Sequence, residues 1–166
     1  STKYIAVSKM AGIYMYGKKG INSNRFCLLK NGICYENYLF SKSSRDFIRN
    51  KLGISEDEFV IGNIGRFEKQ KNHKFIIDVF KKFYETNRNA KLILIGDGSL
   101  KKQIQQKTIE FDISDAVLFL PNTKEVCKYY SAMDVFLFPS KYEGLGIVAV
   151  EAQISGLPVI ASTKVP

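Results

Sequence analysis

From Phe59 onward, short unbroken apolar runs alternate with longer stretches in which apolar positions recur every three or four residues. Continuous apolar runs suit strands buried on both faces, and the helical recurrence suits helices packed over them. Residues 59–65 (FVIGNIG) predict a buried strand. Asn72 follows as an N-cap, and Phe75, Ile76, Val79, Phe80 and Phe83, with lysines between them, predict an amphipathic helix of about four turns. Residues 91–95 (KLILI) predict a second strand closed by the turn Gly96-Asp97-Gly98, with Ser99 capping a polar helix that runs to about Glu110. A third strand is predicted at 117–120 and stopped by Pro121, a short helix from Thr123 carrying Val126, Tyr129 and Tyr130, and a fourth strand at 134–138 ending at Pro139. The stretch from Leu145 to Ile154 reads as a helix ended by Gly156, and 157–161 as a fifth strand.

Strict alternation of five strands and four helices predicts an α/β fold, a Rossmann-like, doubly wound parallel sheet. Ligands of such sheets lie beyond the carboxyl ends of the strands. The first fifty residues read differently. They predict a short strand at 5–8, a helix from Lys9 to Lys19, and a strand from Arg25 to Lys30 followed by the turn Asn31-Gly32. These elements are too few for a second core, and 166 residues suffice for one full domain rather than two. The chain stops at Pro166 directly after a strand. Both ends are therefore expected to continue into something larger, with the sheet domain incomplete at its C-terminus. A sheet edge left bare is expected to be available for pairing with a second copy.

Composition narrows the function classes. The chain is 45% apolar and 25% charged, as in soluble globular proteins, and carries a formal net charge of +9. That excess attracts anions of several kinds, phosphorylated small molecules among them, but a solvated lysine-rich surface accounts for it equally well. Cys27, Cys34 and Cys127 form no C-x-x-C pair and have only His73 to join them, which argues against a zinc site or a disulfide framework. No apolar run approaches the roughly 20 residues of a membrane span. A cytoplasmic location is expected, with a basic surface compatible with attachment at the inner face of a membrane. Nucleic acid is not an expected partner, because the aromatic residues fall at core spacing rather than interleaved with lysines on one face.

Two segments carry candidate chemistry. In residues 65–72 (GRFEKQKN), Gly65 and Arg66 leave the first strand and Lys71 precedes the helix, so both cations can converge on one anion beside free helix N–H groups. A diphosphate is the natural occupant; the other reading is a basic surface turn without a ligand. In residues 143–151 (EGLGIVAVE), Gly144, Leu145 and Gly146 lie where a strand yields to a helix and can present backbone N–H groups to a phosphate or a sugar. Glu151 shares a helix face with Ile147 and Ile154, so its carboxylate needs a dedicated partner. A ribose diol satisfies that need, as does an ion pair with a core Lys or Arg. Glu143 reads either as a contact to a sugar or as a solvated loop acid. The turn Gly96-Asp97-Gly98 reads as structural, and His73 as a first-turn helix residue rather than a catalyst.

Together, Gly65-Arg66-Phe67 with Lys71, the Gly96-Asp97-Gly98 turn, the strand at 134–139 and the pair Glu143 and Glu151 around Gly144-Leu145-Gly146 resemble the retaining glycosyltransferases of family 4, also called group 1. The resemblance spans roughly residues 55–166. It implies the C-terminal donor-binding domain of a GT-B enzyme over residues 51–166, preceded in residues 1–50 by a remnant of the N-terminal domain and the interdomain linker. It further implies that Arg66 and Lys71 contact the diphosphate of a nucleotide sugar, that Glu151 binds the ribose, and that Glu143, the catalytic candidate, contacts the donor sugar. Backbone amides near Gly144, Leu145 and Gly146 complete the cradle, and the strand end at Leu120 lies near the base, followed by Pro121-Asn122 where a glycine is common in the family. Such enzymes need no divalent metal or cofactor and use a nucleotide-diphosphate sugar, here a UDP-sugar, as donor. The acceptor, a glycan or lipid-linked molecule, is held by the N-terminal domain, so the chain by itself is expected to transfer no sugar. The rival reading is a non-catalytic Rossmann-like module that binds a phosphorylated ligand.

Overall fold

A computed structural model describes residues 3–29 and 32–165. The chain opens with a small parallel pair, β1 (Tyr4–Ala6) and β2 (Phe26–Leu28), joined by α1 (Lys9–Ile21). Ser8 caps α1 through its side chain, and Gly17, at φ +68°, interrupts the helical geometry. The predicted strand at 25–30 is shorter than expected, and Lys30 and Asn31, with the turn expected there, lie outside the described residues. After a 3-10 turn at Tyr35–Tyr38 comes α2 (Lys42–Leu52), which the hydrophobic pattern did not predict.

The main sheet contains β3 (Phe59–Ile64), β4 (Ala90–Ile95), β5 (Val117–Leu120), β6 (Val135–Phe138) and β7 (Val159–Ala161). All neighbours are parallel, in the order β5-β4-β3-β6-β7. This is the doubly wound arrangement that the alternating pattern predicts. Between the strands run α3 (His73–Thr86), α4 (Lys101–Glu110), α5 (Val126–Ala132) and α6 (Ile147–Ile154).

Side chains alternate across the sheet and feed two separate cores, as a strand period of two requires. Leu92 and Leu94 of β4 pack with Ile76, Ile77 and Phe80 of α3 and Ile104 of α4. Ile93 and Ile95 pack on the other face with Ile48 of α2, Tyr130 of α5 and Ala152 of α6. The sheet is therefore covered on both sides, which explains why its strands read as unbroken apolar runs.

Two predicted caps make other contacts, and one helix starts later than predicted. Asn72 precedes α3 in a left-handed conformation and makes no side-chain cap; its Nδ2 donates to the Pro139 carbonyl at 3.3 Å. Ser99 does not cap α4, which starts at Lys101, because its hydroxyl donates to Glu68 at 3.2 Å. The last helix starts at Ile147 rather than Leu145, since Gly146 at φ +69° is left-handed and cannot belong to a right-handed helix.

Charge, beside the buried Ile48, holds α2 in place. Arg49 is buried, and its guanidinium donates to the carbonyls of Ser55, Glu56, Glu58 and Ala132 and, at 2.8 Å, to Asp134 Oδ2. Burial works against the charge on Arg49, and Asp134 supports it. Arg45 donates to Asp134 Oδ1 at 2.8 Å, while the Val60 N–H donates to Oδ2 at 2.7 Å. One carboxylate thus ties α2, the start of β3 and the residue before β6 together. Asp134→Ala leaves Arg49 buried without its counter-charge and is expected to cost about 3 kcal/mol of stability. A lower urea midpoint at unchanged m-value is the expected readout.

Candidate functional site

β3 and β6 are neighbours, but the chain leaves β3 for α3 on one face and leaves β6 for α6 on the other. Doubly wound sheets open a crevice at such a point, beyond the strand ends. The β3–β6 register pairs Ile61 with Val135 and Gly62 with Phe136. One residue further on, the side chain of Asn63 bridges the strands, Nδ2 donating to the Leu137 carbonyl at 2.8 Å. Two loops enter the crevice from these strand ends, residues 65–72 after β3 and residues 139–146 after β6.

The first loop is braced from β4. The Phe67 N–H donates to the Asp97 carbonyl at 3.0 Å, and the Leu100 N–H to the Phe67 carbonyl at 2.9 Å. Gly96 and Gly98, at φ +150° and +155°, allow this approach: a Cβ on Gly96 would lie 2.1 Å from the Gly65 carbonyl oxygen, and one on Gly98 would lie 2.7 Å from the Phe67 backbone. The turn is structural, as read from the sequence, and its task is to fix the loop that carries Arg66. Its Gly96 N–H also donates to the Leu120 carbonyl at 3.0 Å, which places the end of β5 beside the same turn.

The second loop is stitched to the first. The Lys141 N–H donates to the Gln70 carbonyl at 2.9 Å, and Gln70 Nε2 donates to the Tyr142 carbonyl at 2.9 Å. Lys71 Nζ donates to Glu143 Oε1 at 2.7 Å, with both side chains largely shielded from solvent. The stem of Lys71 runs over Gly65, and its ammonium lies 5.4 Å from the ring centre of Phe138, a buried side chain at the end of β6. Gly65, Arg66, Glu68, Gln70, Lys71 and Glu143 line one pocket of about 450 Å³. Arg66 is exposed at its rim. A carboxylate paired with a lysine and flanked by an arginine suits an anion that also carries hydroxyl groups: the cations face the charge, and the acid accepts from the hydroxyls.

Gly146 has no side-chain cap to offer the first N–H groups of the helix, and a Cβ on Gly144 would meet nothing within 4 Å. Glu151 is buried at 9% exposure. It has no Lys or Arg partner among the described residues; the Tyr130 hydroxyl donates to Oε2 at 2.7 Å. Nor does it line the pocket of Arg66, Lys71 and Glu143. It opens on a second pocket of about 390 Å³ with Ile147 and the linker residues Gly32, Ile33, Cys34, Asn37 and Tyr38. The four charged residues expected in one pocket are thus divided three to one, and the segment from Glu143 to Ile147 connects the two pockets along the chain.

Sequence reasoning missed Gln70, Glu68 and the two tyrosines. Only the buried position of Glu151 hinted at Tyr130, because a buried carboxylate demands a donor. His73 begins α3, is 3% exposed and stacks on Phe67 with ring centres 4.2 Å apart. Neither ring nitrogen has a partner among the described residues. Burial first, and the nearby Lys71 second, push its pKa down to about 4. It is a neutral core ring that supports the basic loop. Among the described residues no helix is long and apolar enough to cross a membrane.

Residues 44–166 match the family described as glycosyl transferases group 1. EpsF of Bacillus subtilis, named as a glycosyltransferase, is 34% identical over 99% of this chain and 43% of its own length. CapM of Staphylococcus aureus, a capsular polysaccharide biosynthesis glycosyltransferase, is 29% identical over 98% of this chain and 43% of its own. The crystal structure of Anabaena HepE in complex with UDP and glucose matches with a TM-score of 0.84 and 25% identity, over 98% of this chain and 45% of that one. The chain therefore spans less than half the length of these relatives.

The His73 pKa sets an acid-side signature. In the unfolded chain the imidazole binds its proton near the ordinary value of 6.5, and in the fold only near 4. Stability is expected to fall as pH drops between these values, by about 3 kcal/mol at pH 4 from this group alone. Urea denaturation of the His73→Phe variant between pH 7 and 4 checks this, with a correspondingly flatter pH dependence as the expected outcome.

Proposed function

This chain belongs to the glycosyl transferases group 1 family, and we propose that it is the donor-binding portion of a retaining glycosyltransferase that takes a UDP-sugar and passes the sugar to a glycan or lipid-linked acceptor. The pocket of about 450 Å³ at the β3–β6 crevice, with Arg66, Lys71 and Glu143 on its wall, is the observation that carries the reading. The likeness to HepE, solved with UDP and glucose, supports the choice of nucleotide.

In this reading Arg66 and Lys71 hold the diphosphate, and the backbone of Gly144, Leu145 and Gly146 adds N–H groups at the start of α6. These groups stabilise the charge that develops as the bond from the anomeric carbon to the β-phosphate oxygen breaks. The new bond forms to an acceptor hydroxyl oxygen, and its proton leaves with the departing phosphate. Glu143 accepts from sugar hydroxyls and orients the ring. Glu151 accepts from the ribose, and the strand end at Leu120 borders the base. The Lys71–Glu143 contact at 2.7 Å links the two roles, since a diphosphate that draws the ammonium away releases the carboxylate for the sugar. Acceptor binding falls to the portion of the relatives' length that this chain does not span.

UDP is expected to bind this chain far more tightly than inorganic phosphate, and Arg66→Ala and Lys71→Ala are each expected to weaken it about tenfold, the worth of one charge-assisted contact. Isothermal calorimetry reads both. Equal affinity for UDP and phosphate, or variants that bind as well as the parent, would overturn the assignment.

A further inference from the structure

Glu151 is a buried carboxylate with one phenol bonded to it and a second on the wall of the pocket it lines. The Tyr130 ring is fully buried in α5, and its hydroxyl reaches both Glu151 Oε2 at 2.7 Å and the Val148 carbonyl at 3.2 Å. A hydroxyl has one proton, and the shorter contact, to the charged acceptor, takes it. Tyr38, half-buried at the end of the 3-10 turn, has its ring centre 6.1 Å from that of Tyr130 and lines the same pocket as Glu151. Burial first, and then the nearby Glu151 carboxylate, push the Tyr38 pKa up to about 12, and the same two causes raise that of Tyr130. Both phenols therefore keep their protons at neutral pH and have one to offer a carboxylate.

We infer that Tyr38 and Tyr130 are positioning residues that fix the Glu151 carboxylate as a reader of a vicinal diol, with the linker forming the second wall of the nucleoside site. The inference rests on the donor-site reading above. A carboxylate accepts about four hydrogen bonds. Two phenols use about half of that capacity and lock the rotamer, and the remaining lone pairs face the pocket of about 390 Å³. The 2′- and 3′-hydroxyls of a ribose match that remainder in number and spacing. A deoxyribose leaves one buried acceptor unmet, which is the condition under which a polar site discriminates most strongly. Because Tyr38, Asn37 and Cys34 come from the segment before α2, the same contact makes the linker part of the nucleoside site rather than a passive connection.

The experiment is calorimetric titration of UDP and 2′-deoxy-UDP into the parent chain and into Tyr38→Phe and Tyr130→Phe, each checked by thermal melting. The parent is expected to prefer UDP by about tenfold. Each phenylalanine variant is expected to shrink that preference to about threefold or less, while affinity for 2′-deoxy-UDP changes less than about twofold. Equal losses for both nucleotides would mark the tyrosines as merely structural and overturn the inference, as would an unchanged preference in both variants. Should Tyr130→Phe fail to fold, Tyr38→Phe alone decides the matter, since its ring is only half-buried. Failure of the parent to bind either nucleotide would overturn the donor-site reading itself, and this inference with it.

Discussion

Strands β3 and β6 lie side by side and send their chains to opposite faces of the sheet. Two loops must therefore part above them, and no helix can cover the gap from either side. Every candidate residue but Leu120, at the end of β5, is placed by that constraint. Arg66 and Lys71 ride the loop leaving β3; Glu143, Gly144 and Gly146 ride the loop leaving β6; Glu151 lies one helical span further along. The amide of Asn63, laid across to the Leu137 carbonyl, marks the level at which a side chain takes over the bridging of the two strands.

A cleft between diverging loops is useful only if the loops are held, and polar contacts rather than apolar packing do most of the holding. Gly96 and Gly98 let the turn after β4 lie directly against the backbone of residues 65–67. Gln70 and Lys71 reach across to Tyr142, Lys141 and Glu143. Behind these loops Phe67 stacks on His73, and Phe138 lies under the Lys71 ammonium, all three rings buried. Polar loops backed by a packed core suit a site whose ligand is charged, because the ligand exchanges one set of charge-assisted bonds for another without disturbing the core.

The N-terminal side of the sheet is organised by the same logic at its opposite end. Asp134 gathers Arg45, Arg49 and the Val60 N–H, so α2 is fastened where β3 and β6 begin, while the catalytic candidates stand where those strands finish. The segment that leads into α2 brings Tyr38 against Tyr130 and into the pocket that Glu151 lines. Residues that the resemblance implied to be a linker thus share a pocket with Glu151.

How much of this was legible depends on what kind of interaction decides each feature. The five main strands and four of the helices after residue 58 could be read directly, because a strand buried on both faces must be apolar throughout and a covering helix must repeat near 3.6 residues. The basic loop and the two glutamates could be singled out from their place in the pattern, but each kept a structural reading beside the functional one, because charged turns are common. α2 escaped notice because its sequence, KSSRDFIRNKL, is polar and its burial is carried by an arginine whose partner lies 85 residues away. The cap roles of Asn72 and Ser99 were decided by partners distant in the chain, Pro139 and Glu68, which local sequence cannot specify. Sequence by itself determined the fold class and the charges available to a ligand, since both follow from patterns local to the chain. Only tertiary structure decided that Lys71 meets Glu143 and that Glu151 meets Tyr130, because hydrogen bonds between segments depend on how the strands are ordered across the sheet.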